Sequence, residues 1–201
     1  MELIQQEVFP MLKVPDLHTS RLTIRPLTFD DLDAARHILD SGFGAAALEE
    51  RREWLEWAVR NTTALVNLHQ PPYGDRAVVH RATNTLIGLI GFVPCLGPFH
   101  LLPAFRRYNE PPERLNQTEF GLFWAVAPEH RQQGYATEAA QAMIDYAFNT
   151  LRIRRIVAET DRDNLASIAV MRSLGMMVEE NPTDDPPWFQ VVGVLYHPES
   201  L

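Results

Sequence analysis

The stretch from Phe120 to Leu151 constrains the fold more than any other part of the chain. The apolar run Phe120 to Ala127 reads as a strand and stops at Pro128. Arg131-Gln132-Gln133-Gly134-Tyr135-Ala136-Thr137 follows and opens an amphipathic segment. Apolar residues then fall at Ala136, Ala139, Ala140, Met143, Ile144, Ala147, Phe148 and Leu151. That spacing is one face of an α-helix over about four turns. A strand, a glycine turn and a helix start together favour an anion. The first N–H groups of a helix lack internal partners, and the dipole is positive there. Gly134 lets a phosphate approach the backbone closely.

The sequence narrows the anion. A nucleoside-triphosphate loop needs Gly-x-x-x-x-Gly-Lys-Ser/Thr, and no such lysine stands here. A dinucleotide fold needs Gly-x-Gly-x-x-Gly, which is also missing. Downstream, Arg155 to Thr160 reads as a short buried strand. Asn164 is a good N-cap for the segment that ends at Leu174-Gly175, where glycine suits a left-handed helix stop.

Arg-x-x-Gly-x-Ala at Arg131, Gly134 and Ala136 resembles the pyrophosphate loop of the GNAT acetyltransferases. The order Glu159, Asn164, Ser167, Leu174-Gly175 resembles their second motif. Thr19-Ser20-Arg21-Leu22-Thr23-Ile24-Arg25-Pro26-Leu27 is similar to the opening strand of RimJ/RimL-like members, which acetylate protein N-termini. The resemblance runs from about Thr19 to Glu180. It implies an α/β (α+β) fold: one mixed, mostly antiparallel twisted sheet of about six to seven strands, with splayed central strands and about four flanking helices. It also implies acetyl-coenzyme A as co-substrate. The seven histidines show no metal-ligand spacing and no Cys/His cluster exists, so no metal is expected. Gln132, Gln133, Gly134, Tyr135, Ala136 and Thr137, with Arg131, would hold the pyrophosphate. Trp124, Ala125 and Val126 would meet the pantetheine arm, and Asn164 would orient the cofactor.

Acetyl transfer to an amine needs a neutral amine, and an alkyl amine with a pKa near ~10.4 is mostly protonated at neutral pH. A carboxylate can take that proton. Glu119 and Glu159 each match an acidic position used in relatives, and each could instead be a solvated or ion-paired strand residue. Many relatives place a tyrosine, as general acid, where this chain has Met171. Ser167 matches the serine proposed for that role in RimL-like enzymes; the alternative reading is a first-turn serine bonded to backbone. Tyr196, on the last strand, is a further candidate donor.

Composition bounds the partners. At 201 residues, 46% hydrophobic and 22% charged, the chain suits one soluble domain, residues 1–201. Residues 1–18 read as an N-terminal extension without a secretory signal, and with the single Cys95 they suggest a cytoplasmic protein. No run approaches the ~20 apolar residues of a membrane helix, so no membrane partner is expected. The formal charge of −8 argues against a nucleic-acid surface and is compatible with cationic amines. Arg152, Arg154 and Arg155 form a basic cluster that could face the adenosine 3′-phosphate or simply follow a helix end.

The coarse map has strands at Leu22–Arg25, Arg76–Arg81, Leu86–Pro94, Glu119–Ala127, Arg155–Thr160 and Trp188–Tyr196. Helices fall near Asp30–Leu39 and Leu48–Leu68, the first opened by the capping-box pattern Thr28-Phe29-Asp30-Asp31. Residues 95–117, rich in proline and aromatics, read as a long acceptor-side loop. Cys95 is placed in a turn and carries no nucleophile signature. The expected activity is N-acetylation of a primary amine, on a protein N-terminus or a small molecule such as a polyamine or aminoglycoside, by direct transfer in a ternary complex. A homodimer is the family-based expectation. The alternative is a non-catalytic acyl-coenzyme A-binding sensory module.

Overall fold

The strands are β1 (Leu17–His18), β2 (Leu22–Pro26), β3 (Gly74–His80), β4 (Thr85–Gly97), β5 (Gln117–Val126), β6 (Arg155–Thr160), β7 (Met177–Glu180) and β8 (Val191–Tyr196), most of them apolar runs of the kind a buried sheet requires. Helical periodicity gives α1 (Leu32–Phe43), α2 (Leu48–Asn67), α3 (Tyr135–Asn149) and α4 (Leu165–Ser173). These come from a computed structural model that describes residues 13–105 and 115–200. The strands form one sheet in the order β1-β2-β3-β4-β5-β6-β8-β7. The β5–β6 pairing is parallel, and Gly121↔Val157 is its single registered pair. That short pairing is what the splayed central strands look like in this chain. Among the described residues the sheet has eight strands instead of six or seven. β1 is two residues long, and β7 carries Glu179 and Glu180, so neither shows a readable alternation.

The chain divides into two compact units, and each is described by itself. The first comprises residues up to Phe92 and Trp124–Leu151. Its core includes Leu22, Ile24, Ile38, Leu55, Ile87, Leu89 and Ile90, together with the apolar stripe of α3. That stripe is buried as the spacing predicts at Ala139, Ala140, Met143, Ile144, Ala147 and Phe148. Tyr135 and Tyr146 are buried as well. In α2 only Leu55 and Ala58 are buried, whereas Trp54, Val59 and Leu65 are half-buried and Trp57 is exposed.

Thr28 opens a short 3-10 turn, Phe29–Asp31, which delays the start of α1. The Asp31 carboxylate accepts from the Thr28 N–H at 2.8 Å and from both Arg25 terminal nitrogens at 2.8 Å. The helix then runs past Leu39 to Phe43, because the permissive Gly44, with φ 92°, comes only after it. Residues 14–18 are tied into this unit. Arg76 is buried and donates to the carbonyls of Val14, Pro15 and Ile24, and β1 pairs with β2.

Asp75 on β3 accepts from Trp54 of α2, but desolvation outweighs that bond and pushes its carboxyl up to about 6. A carboxyl raised on folding favours the folded state fully below its unfolded pKa, and that bias is lost as pH rises through about 6. Asp75→Asn keeps an acceptor for Trp54. It should gain roughly 2–3 kcal/mol near neutral or higher pH, where the native carboxylate is penalised, and gain nothing in acid where both proteins are uncharged there. Urea unfolding at both pH values checks this.

The second unit comprises Val93–Phe123 and Arg152–Leu201. Its core gathers Phe99, Leu102, Phe105, Val157, Phe189, Val192 and Val194. The stretch read as an irregular loop from residue 95 is therefore partly structured. β4 continues to Gly97, and short 3-10 turns at Phe99–Leu101 and Pro103–Phe105 sink Phe99 and Phe105, with Leu102 buried between them. Cys95 lies in a strand, not in a turn. Glu179 of β7 accepts from the Ala104 N–H at 3.1 Å and fixes the second of these turns. Tyr108, Pro111 and Pro112 lie outside the described residues. β8 starts at Val191, where pairing with Thr160 begins, so Trp188–Gln190 are not strand. Helix α4 ends in a Schellman motif. Met176 N–H reaches the Met171 carbonyl, Gly175 N–H reaches that of Arg172, and Gly175 has φ 75°.

Candidate active site

The anion loop lies wholly in the first unit. After β5 a 3-10 turn, Pro128–His130, brings the chain to Arg131 in an extended conformation. Gln132 and Gly134 then take positive φ, 59° and 78°. Gly134 serves as the N-cap of α3, and the first intrahelical bond runs from Glu138 N–H to the Gly134 carbonyl at 3.0 Å. The N–H groups of Gly134, Tyr135 and Ala136 precede that bond, at the positive end of a helix fifteen residues long. Residues 131–134 are exposed, Ala136 and Thr137 are half-buried, and the Tyr135 side chain is buried. This backbone fits a pyrophosphate: an exposed turn with two left-handed residues, leading into a helix start.

Side chains hold the loop from behind. Arg131 Nε donates to the Val126 carbonyl at 3.0 Å, and its Nη2 donates to Ser41 Oγ at 3.0 Å. Arg131 is thus a strut between β5 and α1. Gln133 Nε2 donates to the Glu129 carbonyl at 3.1 Å. Trp124, Ala125 and Val126 are half-buried on β5. A side chain at Gly88 of β4 would come within 2.7 Å of the Ala125 carbonyl, so glycine there permits the close approach of the two strands.

Sequence reasoning missed the strongest clamp on this loop. Glu138, in the first turn of α3, accepts from Thr19 Oγ1, Ser20 Oγ, Arg21 N–H and Arg21 Nε at 2.5–3.0 Å. Arg21 also donates to the Gln133 carbonyl at 2.9 Å, and its guanidinium lies 4.4 Å from the Tyr135 ring centre. Desolvation raises the Glu138 carboxyl, and the bonds from Thr19, Arg21 and Ser20 overcome it, leaving the group near 2. The readable signal was an acid in a first helical turn together with the Thr-Ser-Arg run, but nothing in one dimension pairs them.

The second unit holds the catalytic candidates. Glu119 of β5 is buried and forms a two-pronged ion pair with Arg155 of β6, with Nε to Oε2 at 2.7 Å. Arg155 also donates to Tyr196 Oη at 3.1 Å and stacks 4.7 Å from the Phe105 ring centre. Both Glu119 oxygens are thus engaged by the guanidinium rather than open to a substrate amine. Arg155 is committed to Glu119 and Arg152 to Glu199, which leaves little of the basic cluster to meet a phosphate. Glu159 differs. It is half-buried, and its Oε1 is shielded from water with no hydrogen-bond partner. Desolvation raises its carboxyl against the hydrogen bond from Cys95.

Asn164 caps α4, its Oδ1 accepting from the Ser167 N–H at 3.1 Å. Asn164 is exposed and Ser167 half-buried. Tyr196 donates to the Ala104 carbonyl at 2.8 Å while accepting from Arg155, so its hydroxyl is engaged in structure. Met171 is fully buried, and a side chain at Gly193 would come within 3.0 Å of its sulfur. That position offers no proton.

Residues 21–177 match the family profile described as the acetyltransferase (GNAT) domain. The chain belongs to the GNAT acetyltransferase family. Its GNAT relatives include the FsC-acetyl coenzyme A-N(2)-transacetylase of Aspergillus fumigatus, 30% identical over 86% of this chain and 71% of that protein. The spermidine N(1)-acetyltransferase of Escherichia coli K12 is 35% identical over 83% of this chain and 77% of its own length. Among solved structures, the RimL ribosomal-protein α-N-acetyltransferase in complex with coenzyme A has the same fold. It superposes with a TM-score of 0.58 over 88% of this chain and 93% of that one, at 16% identity.

Proposed function

We propose that the protein is an acetyl-coenzyme A-dependent N-acetyltransferase acting on a primary amine by direct transfer. The observation that carries this is Glu159: a half-buried carboxyl with one unpartnered oxygen and raised proton affinity, in a chain of the GNAT family. The loop 131–137 would bind the pyrophosphate through backbone N–H groups, with Arg131, Arg21 and Glu138 keeping it rigid. Asn164, fixed as the N-cap of α4, would orient the cofactor, which supplies the activated acetyl group.

Glu159 would take a proton as the amine nitrogen forms its bond to the thioester carbon and the carbon–sulfur bond breaks. A backbone N–H of Trp124 to Val126 would polarise the carbonyl. Coenzyme A would leave as thiolate. Met171 and the engaged Tyr196 argue that this thiolate takes its proton from Ser167 or from solvent. The charge of −8 and the spermidine-acetylating relative support a cationic small-molecule acceptor, and the RimL-like likeness supports a protein N-terminus. The buried methionine at position 171 is what favours the second reading, an acyl-coenzyme A-binding module without turnover.

Calorimetric titration with acetyl-coenzyme A tests the cofactor half. Binding should be micromolar in the wild type and lost in Gly134→Asp, which puts a strained side chain and a negative charge where φ is 78°. No binding by folded wild type would sink the proposal. Thiol release across polyamines, aminoglycosides and peptide N-termini then decides between enzyme and sensor. Amine-dependent release establishes the enzyme, and tight binding with no release across that panel establishes the module.

A further inference from the structure

We propose that Cys95 is a positioning residue for Glu159, its thiol reaching over the bare backbone of Gly121 to donate to the Glu159 carboxylate. The inference rests on reading Glu159 as the proton acceptor. Gly121 and Val157 are partners on the single registered rung between β5 and β6, and Glu159 lies two residues past Val157 on the same face of β6. A Cβ at Gly121 would fall 2.4 Å from Cys95 Sγ, 2.8 Å from the Val93 carbonyl oxygen and 2.9 Å from Val93 Cγ2. The sulfur therefore occupies the volume that any side chain at position 121 would fill. It packs against the cluster containing Val157 and lies near enough to Glu159 for each group to shift the other's proton affinity, while Glu159 Oε1 stays buried and unpartnered.

The chemistry suits a donor and nothing else. Desolvation, then Glu159 and Glu119, push the Cys95 thiol well up, so it stays protonated and is no nucleophile. A thiol is a weak donor. It can orient a carboxylate without neutralising it, in contrast to the Arg155 grip on Glu119. The other groups around Glu159 leave Cys95 this task. From β5, Glu119 is closed in its pair with Arg155. From β8, Val192 stands opposite Glu159, between Val191 and Gly193.

The titration of Glu159 can be followed by carbon-13 NMR of labelled glutamate carboxyls, with the resonance identified by its loss in Glu159→Gln. Cys95→Ala should raise the midpoint by about 0.5–1 pH unit, because a donor to the charged form is gone. Cys95→Ser should hold the midpoint at or below the wild-type value. Packing alone would move both variants alike, since both lose the sulfur. An unchanged midpoint in Cys95→Ala, or a serine variant that rises with alanine, overturns the proposal.

A second readout needs no change at position 95. Cys95 is the sole cysteine, so the infrared S–H stretch is a single band. It should move to lower wavenumber as Glu159 ionises and lose that pH response in Glu159→Gln; a band indifferent to both overturns the contact. With an acceptor in hand, the acid limb of kcat/KM should follow the NMR midpoint in each variant. If the carboxyl moves and the acid limb does not, the contact stands. The base assignment, and with it the positioning role, is then overturned.

Discussion

Arg155→Met should cost the second unit about 3–5 kcal/mol of stability. Glu119 is only 7% exposed, and Arg155 holds both of its oxygens. Burial works against the Arg155 charge, and the bonds to Glu119 outweigh it. Methionine would preserve much of the packing over Phe105, so the loss isolates the stranded carboxylate rather than a cavity. The double variant Glu119→Gln with Arg155→Met removes both charges and should recover most of the loss, because an absent ion pair is cheaper than a broken one. Denaturant unfolding of the four proteins gives the coupling directly. A single-variant loss under about 1 kcal/mol would show that water reaches Glu119 and that the pair behaves as a surface contact.

Glu159→Gln should lower kcat by about 10²–10⁴-fold with little change in affinity for acetyl-coenzyme A. Glutamine keeps the shape and the acceptor for Cys95, but it cannot take a proton. The wild-type rate should rise with pH through a midpoint above the ordinary glutamate value, since the base works only when ionised and burial raises its carboxyl. Glu119→Gln should act differently, perturbing stability through the Arg155 it leaves behind while sparing the proton-transfer step. The kinetics of both variants with an acceptor from the amine panel separate the two carboxylates. A Glu159→Gln enzyme within threefold of wild type would remove Glu159 from the chemistry.

These two glutamates show where sequence reading stopped. Both sit on strands, both were candidates from the resemblance, and either could have been the base. The deciding fact is the partner: Arg155 is 36 residues from Glu119 in sequence and bonded to it in space. The same limit hid the Glu138 clamp, whose partners Thr19, Ser20 and Arg21 lie more than a hundred residues away. It also hid the strand character of Cys95 and the burial of Phe99, Leu102 and Phe105, because proline-rich punctuation reads as loop whatever the fold does with it.

By itself the sequence determined the local events: the α3 stripe, the left-handed glycine opening it, the Asn164 cap, the Gly175 stop and the order of strands that carries the family. Such features depend on neighbours within one or two turns, where periodicity and backbone preference act directly. Tertiary structure alone decided which carboxylate is paired, which oxygen is left without a partner, and which thiol fills the space above Gly121. Desolvation and close packing depend on atoms brought together from distant positions in the chain, and no spacing in one dimension encodes those distances.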